Sequence, residues 1–142
     1  MATKLGNITF YADDPRRLAH FWADVFGYPR QEWEEPLKSE LLADGLTEED
    51  LSHRGLAEDP EGVGPRLLFL HAAEAKAGRN RLHLDIRATP GRMPSREELE
   101  AEKDRIVAAG GEVVRLVDQS WGSWPELYFQ MRDPEGNEFC LQ

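Results

Sequence analysis

His83, Asp85 and Arg87 stand at alternate positions in RLHLDIRA, and Asn7, Thr9 and Tyr11 do the same in LGNITFYA. A strand turns every second side chain to the same side, so each trio shares a face. The two faces offer an imidazole, a carboxylate, a guanidinium, an amide, a hydroxyl and a phenol. That inventory suits a polar binding floor, with His83 as a candidate acid/base group and Arg87 as an anchor for an anion. The plainer reading is a His83–Asp85 or Asp85–Arg87 pair that satisfies polar groups across a wet sheet. Cys140 stands in the apolar EFCL, where a lone thiol is usually a small, protonated hydrophobe. His20 and His53 lie in helical or acidic surroundings with no partner legible in the sequence. A Gly-rich phosphate loop, a nucleophile elbow and an HExxH pair are absent.

The elements that must hold these residues follow from periodicity and turn chemistry. LGNITFYA, Leu5 to Ala12, suits a strand. DPRRLAHFWADVFGY starts a helix, with Asp14 as N-cap, Pro15 at the first position and Leu18, Phe21, Trp22 and Val25 at helical spacing. Gly27 stops it. In the acidic stretch that follows, QEWEE reads as a strand. Thr47 to Asp50 opens either a short helix ending near Gly55 or a loop. RLLFLHA, Arg66 to Ala72, is an apolar strand, and AEAKAGRN a linker. RLHLDIRA is the next strand. SREELEAEKDRIVAAGG is a helix with a capping box at Ser95 and Glu98, ended by Gly110 and Gly111. It offers few large apolar residues (Leu99, Ile106, Val107), so it packs on the outside of a sheet. EVVRLV reads as a strand and DQSWGSWP as a loop. ELYFQM and EFCL then form a hairpin around DPEGN, where Pro134 presets φ and Gly136 and Asn137 tolerate the left-handed region.

Among the aromatics, Phe21 and Trp22 read as helix-to-sheet core. Trp121 and Trp124 form either an apolar wall at a pocket mouth or part of a dimer interface. Tyr128 or Gln130 faces inward from its strand. The segment around Thr47 to Gly55 is either a lid or a plain acidic excursion, with the latter favoured.

Bulk properties exclude several classes of function. At 142 residues, 40% apolar and 31% charged, the chain is one ordinary globular domain. No run approaches the roughly 18 apolar residues of a spanning helix, and no signal-peptide pattern opens the chain. With a single cysteine, the expected compartment is the reducing cytoplasm. Net charge is −10, from 17 basic and 27 acidic residues, which disfavours nucleic acid as a partner. Most of the excess lies between Gln31 and Gly64, where eleven acidic residues meet only Lys38 and Arg54. The charge therefore describes one segment.

The halves repeat an order of strand, helix and about three strands. Setting Asn7 against His83 also pairs Thr9 with Asp85 and Tyr11 with Arg87, while Phe69 falls against Cys140. This arrangement, carried by LGNITFYADDP, LAHFWADVFGY, NRLHLDI and DPEGNEFCL, resembles the vicinal oxygen chelate superfamily. That superfamily includes glyoxalase I, bleomycin-resistance proteins and extradiol dioxygenases. The pairing of NRLHLDIR with DPEGNEFCL is most similar to its glyoxalase-like subgroup. The resemblance implies an α+β fold of two βαβββ modules in a curved, incompletely closed mixed β-sheet barrel, with helices packed outside. It covers the chain as a single domain, with module one about 1–73, a linker about 74–80 and module two about 81–142.

In the metal-using relatives, inward side chains from the first and last strands of each module meet at the metal. Carried over by position, these are Asn7, Phe69, His83 and Cys140, the last standing where a glutamate is usual. Asn7 is a weak ligand, Phe69 none, His83 a good one, and Cys140 as thiolate would favour zinc. The carry-over implies no metal in the usual place, and no cofactor is expected. The metal-bearing alternative is His71, His83 and Glu138 holding Zn, Ni, Fe or Mn, which needs a register change on two strands.

The resemblance implies a small-molecule-binding protein, with Asn7, Thr9, Tyr11, Phe69, His83, Asp85, Arg87, Trp124, Tyr128 and Cys140 as the ligand-binding set. One competing reading is a lyase, isomerase or dioxygenase with a displaced metal or with His83 as the catalytic base. The other is an interaction module with a vestigial cleft. A homodimer is implied by the habit of the superfamily alone.

Overall fold

The computed structural model describes residues 1–142. The chain divides into two compact units, Met1–Ala75 and Lys76–Gln142. The first holds β1 (Asn7–Ala12), α1 (Pro15–Phe26), α2 (Leu37–Ala43), α3 (Glu48–Ser52), β2 (Arg54–Ala57) and β3 (Arg66–His71). The second holds β4 (Leu84–Ile86), α4 (Arg96–Ala109), β5 (Glu112–Trp121), β6 (Trp124–Arg132) and β7 (Glu138–Leu141). Each unit carries one open mixed sheet, so the fold is α+β with no closed barrel. No helix is long and apolar enough to cross a membrane.

In the first unit, α1 starts where the Asp14 carboxylate accepts the Arg17 N–H at 3.1 Å, and Pro15 fills its first turn. It stops at Gly27, whose φ of 71° is the left-handed cap that glycine adopts without strain. Leu18, Phe21, Trp22 and Val25 are all buried. The sheet runs β1-β3-β2, with β1 and β3 parallel and β2 antiparallel to β3. Phe10 pairs with Phe69, their rings stacked at 5.1 Å, and Trp22 lies 5.6 Å from Phe10. Helix α1 thus covers the face bearing Phe10 and Phe69, and the opposite face carries Asn7, Thr9, Tyr11, Arg66 and Leu68.

Two sequence expectations fail in this unit, and strand β2 has no counterpart among them. QEWEE is irregular rather than a strand. Pro36 follows it, and Trp33 is instead pinned by its indole N–H, which donates to the Leu51 carbonyl at 2.7 Å. Strand β2 is too short, and too marked by Arg54 and Gly55, to show a pattern. Phe69 is fully buried on the helix side, so it is a core residue and not a ligand-facing one. RLLFLHA is apolar on both faces, and its alternation could not fix which residues point where.

The second sheet runs β4-β7-β6-β5, with β4 and β7 parallel and the other pairs antiparallel. Ile86, Phe129, Met131, Phe139 and Leu141 are buried, as are Leu99 and Ile106 of α4. The capping box at Ser95 and Glu98 forms as the sequence indicates. Arg92, doubly hydrogen-bonded to Glu98, holds that carboxyl down at about 2.

DQSWGSWP is no loop. It is the tip of a long β5–β6 hairpin, with Trp121 opposite Trp124. Gly122, with φ of 61°, sits at the first central position of the two-residue turn, where positive φ matches strand twist. Both tryptophans are largely exposed.

The β6–β7 hairpin is held by Asp133, which is buried. Its carboxylate accepts the Glu135 and Asn137 backbone N–H groups and the Asn137 side-chain amide, each at 2.9 Å. Asp133→Ala would orphan those donors and should cost about 2–3 kcal/mol in a urea unfolding series, whereas Asp133→Asn should recover part of the loss.

Candidate functional site

Strand alternation in the first unit turns Asn7, Arg54, Leu56, Arg66 and Leu68 to the face away from α1. These residues line a cavity of about 500 Å³. Gly55 of β2, with Arg16 and Ala19 of α1, also lines it, so the cavity reaches round the edge strand. Its remaining wall is the segment between α1 and β2, through Gln31, Glu32, Trp33, Lys38, Glu48, Leu51 and Ser52. The acidic stretch is therefore more than a surface excursion.

The lining carries four cations against two carboxylates, opposite in sign to the protein as a whole. Arg16 engages Glu32 through two hydrogen bonds of 2.8 and 2.7 Å and holds that carboxyl below its ordinary range. His20 Nε2 lies 2.8 Å from the same carboxylate. Lys38 pairs with Glu48 at 3.1 Å. Arg66 Nε donates to the Asn7 amide oxygen at 3.1 Å, a neutral partner. Arg54 and Arg66 pair with no carboxylate, which leaves two full positive charges in the lining.

The second unit assembles a different group. Parallel pairing sets Asp85 opposite Cys140, Cys140 lies opposite Gln130, and Gln130 opposite Arg115. Arg115 Nε donates to the Gln130 side-chain oxygen at 2.7 Å, so a polar row crosses four strands on the face away from Phe139 and Met131. His83 closes the row, its Nδ1 2.9 Å from Asp85 Oδ1, with both side chains about half exposed. The Cys140 thiol is half-buried and pushed up to about 11, first by burial and then by the neighbouring Asp85 carboxylate.

One ligand atom from each of His83, Asp85 and Cys140 lies within 4.8 Å of the others. A nitrogen, oxygen and sulfur set of this kind fits a borderline ion such as zinc and leaves a fourth position open. It does not suit a hard ion that wants mostly oxygen. Binding would have to displace the thiol proton that the site now retains. Replacing Asp85 with asparagine should lower the thiol pKa, since it removes the anion that opposes thiolate. Alkylation of Cys140 by iodoacetamide near about pH 9 should then rise several-fold, as read by mass spectrometry.

Of the residues nominated from sequence, Asn7 lines the cavity, while Thr9 and Tyr11 share its face of β1 but stand outside the lining. His83, Asp85 and Cys140 come together. Tyr128 alternates with Gln130 and so lies on the Cys140 face of β6. Arg87 falls past the end of β4, and Trp124 sits exposed at the hairpin tip.

In the alternative metal set of His71, His83 and Glu138, the outer members have contacts of their own. His71 Nδ1 is 3.1 Å from the Asp13 carbonyl and its ring stacks on His53 at 4.3 Å. Glu138 accepts from Lys76 Nζ at 3.2 Å and from the Asn80 N–H at 3.1 Å.

The registers also correct the internal repeat. Thr9 pairs with Leu68 as Asp85 pairs with Cys140, so Leu68, rather than Phe69, is the counterpart of Cys140. Arg54, Arg66, Trp33 and Leu68 were missed as lining residues. The unpaired charge on Arg54, inside an acidic run, was the available signal.

Residues 7–142 match the family described as glyoxalase-like domain. No curated protein matches the chain. Among solved structures, the chain is similar to a glyoxalase/bleomycin resistance protein/dioxygenase family enzyme from Burkholderia phytofirmans PsJN. The two are 15% identical with a TM-score of 0.64, covering 98% of this chain and 97% of the other. It is also similar to a fosfomycin resistance protein from Listeria monocytogenes, solved with Mn(II) and a dihydroxypropylphosphonic acid. That pair shows 16% identity and a TM-score of 0.62, over 100% and 90% of the two chains. A lactoylglutathione lyase from Agrobacterium tumefaciens is 15% identical, with a TM-score of 0.54 over 99% and 93%. Identities this low carry the fold alone, which is that of glyoxalase/bleomycin resistance/dioxygenase proteins, but the family match spans nearly the whole sequence: the chain belongs to the glyoxalase-like domain family.

Proposed function

We propose that this protein binds a small molecule in the cavity of its first unit. The observation that carries this reading is the cavity itself. At about 500 Å³ it has the size of a ligand site, with Leu51, Leu56 and Leu68 for apolar contact and a few fixed polar groups for orientation. Trp33, anchored through its indole N–H, adds a rigid aromatic wall. Asn7 belongs to this site. Thr9 and Tyr11 extend its β1 face toward the solvent.

The test is a Leu68→Trp variant, which fills the floor. Small molecules that raise the Tm of the natural protein should lose that effect in the variant. Ligands that stabilise both proteins equally would sink the proposal.

A second reading rests on the donor set of His83, Asp85 and Cys140. Here the protein would be a metal-dependent lyase, isomerase or dioxygenase, and these three residues would hold a zinc-type ion. Such an ion supplies Lewis acidity toward a substrate oxygen. Asp85 would orient His83 through its 2.9 Å contact, and Tyr128 shares the Cys140 face of β6. Titration with zinc, nickel, iron and manganese decides it. Stoichiometric binding lost in His83→Ala and Cys140→Ser supports the enzyme; failure of all four ions to bind removes it. For either reading the expected assembly is a homodimer, which sedimentation checks.

A further inference from the structure

We infer that the cavity of the first unit selects anionic ligands, namely a carboxylate or phosphonate joined to an apolar body. This rests on the cavity being a small-molecule site, and adds its chemical class.

The segment that builds most of the wall is the most acidic part of the chain, and an anion should be repelled there. The lining nevertheless holds four cations and two carboxylates. Glu32 is consumed by Arg16 and Glu48 by Lys38. What remains uncompensated is Arg54 and Arg66. Asn7 takes only the Nε–H of Arg66, so the outer guanidinium nitrogens stay available for a bidentate contact with an acid.

Geometry then assigns the body of the ligand. Arg54 pairs with Leu70 on β3, and Arg66 lies four positions earlier on that strand, about 13 Å along it. Leu68 lies between them, and Leu56 is its partner on β2. The cavity floor is therefore an apolar strip with a cation toward either end. An acid can seat on one guanidinium while its hydrocarbon lies on Leu56 and Leu68 against Trp33. A neutral molecule of the same shape gains only the apolar contact. The sheet face sets this arrangement, because Arg54, Leu56, Arg66 and Leu68 all alternate to one side.

The experiment pairs acids with their amides. Hexanoate and phenylbutyrate are titrated against hexanamide and phenylbutyramide, following the Trp33 indole N–H signal by NMR. The signal is assigned with Trp33→Phe. The acids should bind at least about tenfold more tightly than the amides, a charge-assisted hydrogen bond being worth that much. The preference should shrink with added salt. In Arg54→Gln/Arg66→Gln the acids should lose their advantage over the amides.

Acids and amides binding equally would overturn the anion preference while leaving the cavity a ligand site. Acids unaffected by the double substitution would overturn it as well. If no probe of either kind moves the Trp33 signal, the small-molecule reading of the cavity fails with it.

Discussion

Replacing Trp22 with alanine is expected to cost about 4 kcal/mol of folding stability, among the largest losses a single truncation can cause here. The indole is only 1% exposed, and it is the largest fully buried side chain. It lies tilted against Phe10 at 5.6 Å, meets Phe21 edge-on at 5.4 Å and stacks on Phe26 at 5.8 Å. Alanine would leave a void among rings carried by β1 and α1, which cannot collapse without moving one past the other. Trp22→Phe keeps most of the contact and should cost about half as much or less. Urea unfolding followed by circular dichroism measures both. A loss below about 1 kcal/mol for Trp22→Ala would mean that α1 is not packed as described.

Gly55→Ala should cost about 3 kcal/mol for the opposite reason, too little room. A Cβ at Gly55 would lie 2.4 Å from the Pro15 carbonyl oxygen and 2.9 Å from the Ala19 Cβ. Both neighbours belong to the buried side of α1, and neither can swing away. The helix would have to lift from β2, and Arg16 and Ala19, which line the cavity, would move with it. Stability and ligand binding should therefore fall together. Gly64→Ala is the control. There the nearest atom is the Tyr28 hydroxyl at 3.6 Å, and the change should stay within about 0.5 kcal/mol. Equal effects at the two glycines would refute the close approach.

What the sequence made legible was governed by local chemistry. Helix α1 was readable because cap, first-turn proline, apolar stripe and terminal glycine all agree. Helix α4 and the DPEGN hairpin were readable for the same reason: the capping box and the Asp133 turn are closed within five residues. The β5–β6 hairpin tip was misread as a loop because tryptophan, glycine and serine there resemble a turn-rich segment. Strand β2 was missed because four residues with a central glycine show no period.

The candidate site divided along the same line. His83 with Asp85 follows from strand alternation alone, and the resemblance sets His83 and Cys140 among the positions that meet. The cavity was not legible. Its floor depends on which side of an all-apolar strand faces out, and only the pairing of β1 with β3 decides that. Its wall depends on how an irregular acidic segment folds back, which one indole hydrogen bond to Leu51 helps to fix.

The central claim is that the first unit's cavity, rather than the His83 cluster, receives a small molecule. An amide chemical-shift map recorded with phenylbutyrate tests it most directly. The largest shifts are expected at Asn7, Trp33, Arg54, Arg66 and Leu68. Shifts confined to His83, Asp85 and Cys140, with the first unit silent, would contradict it.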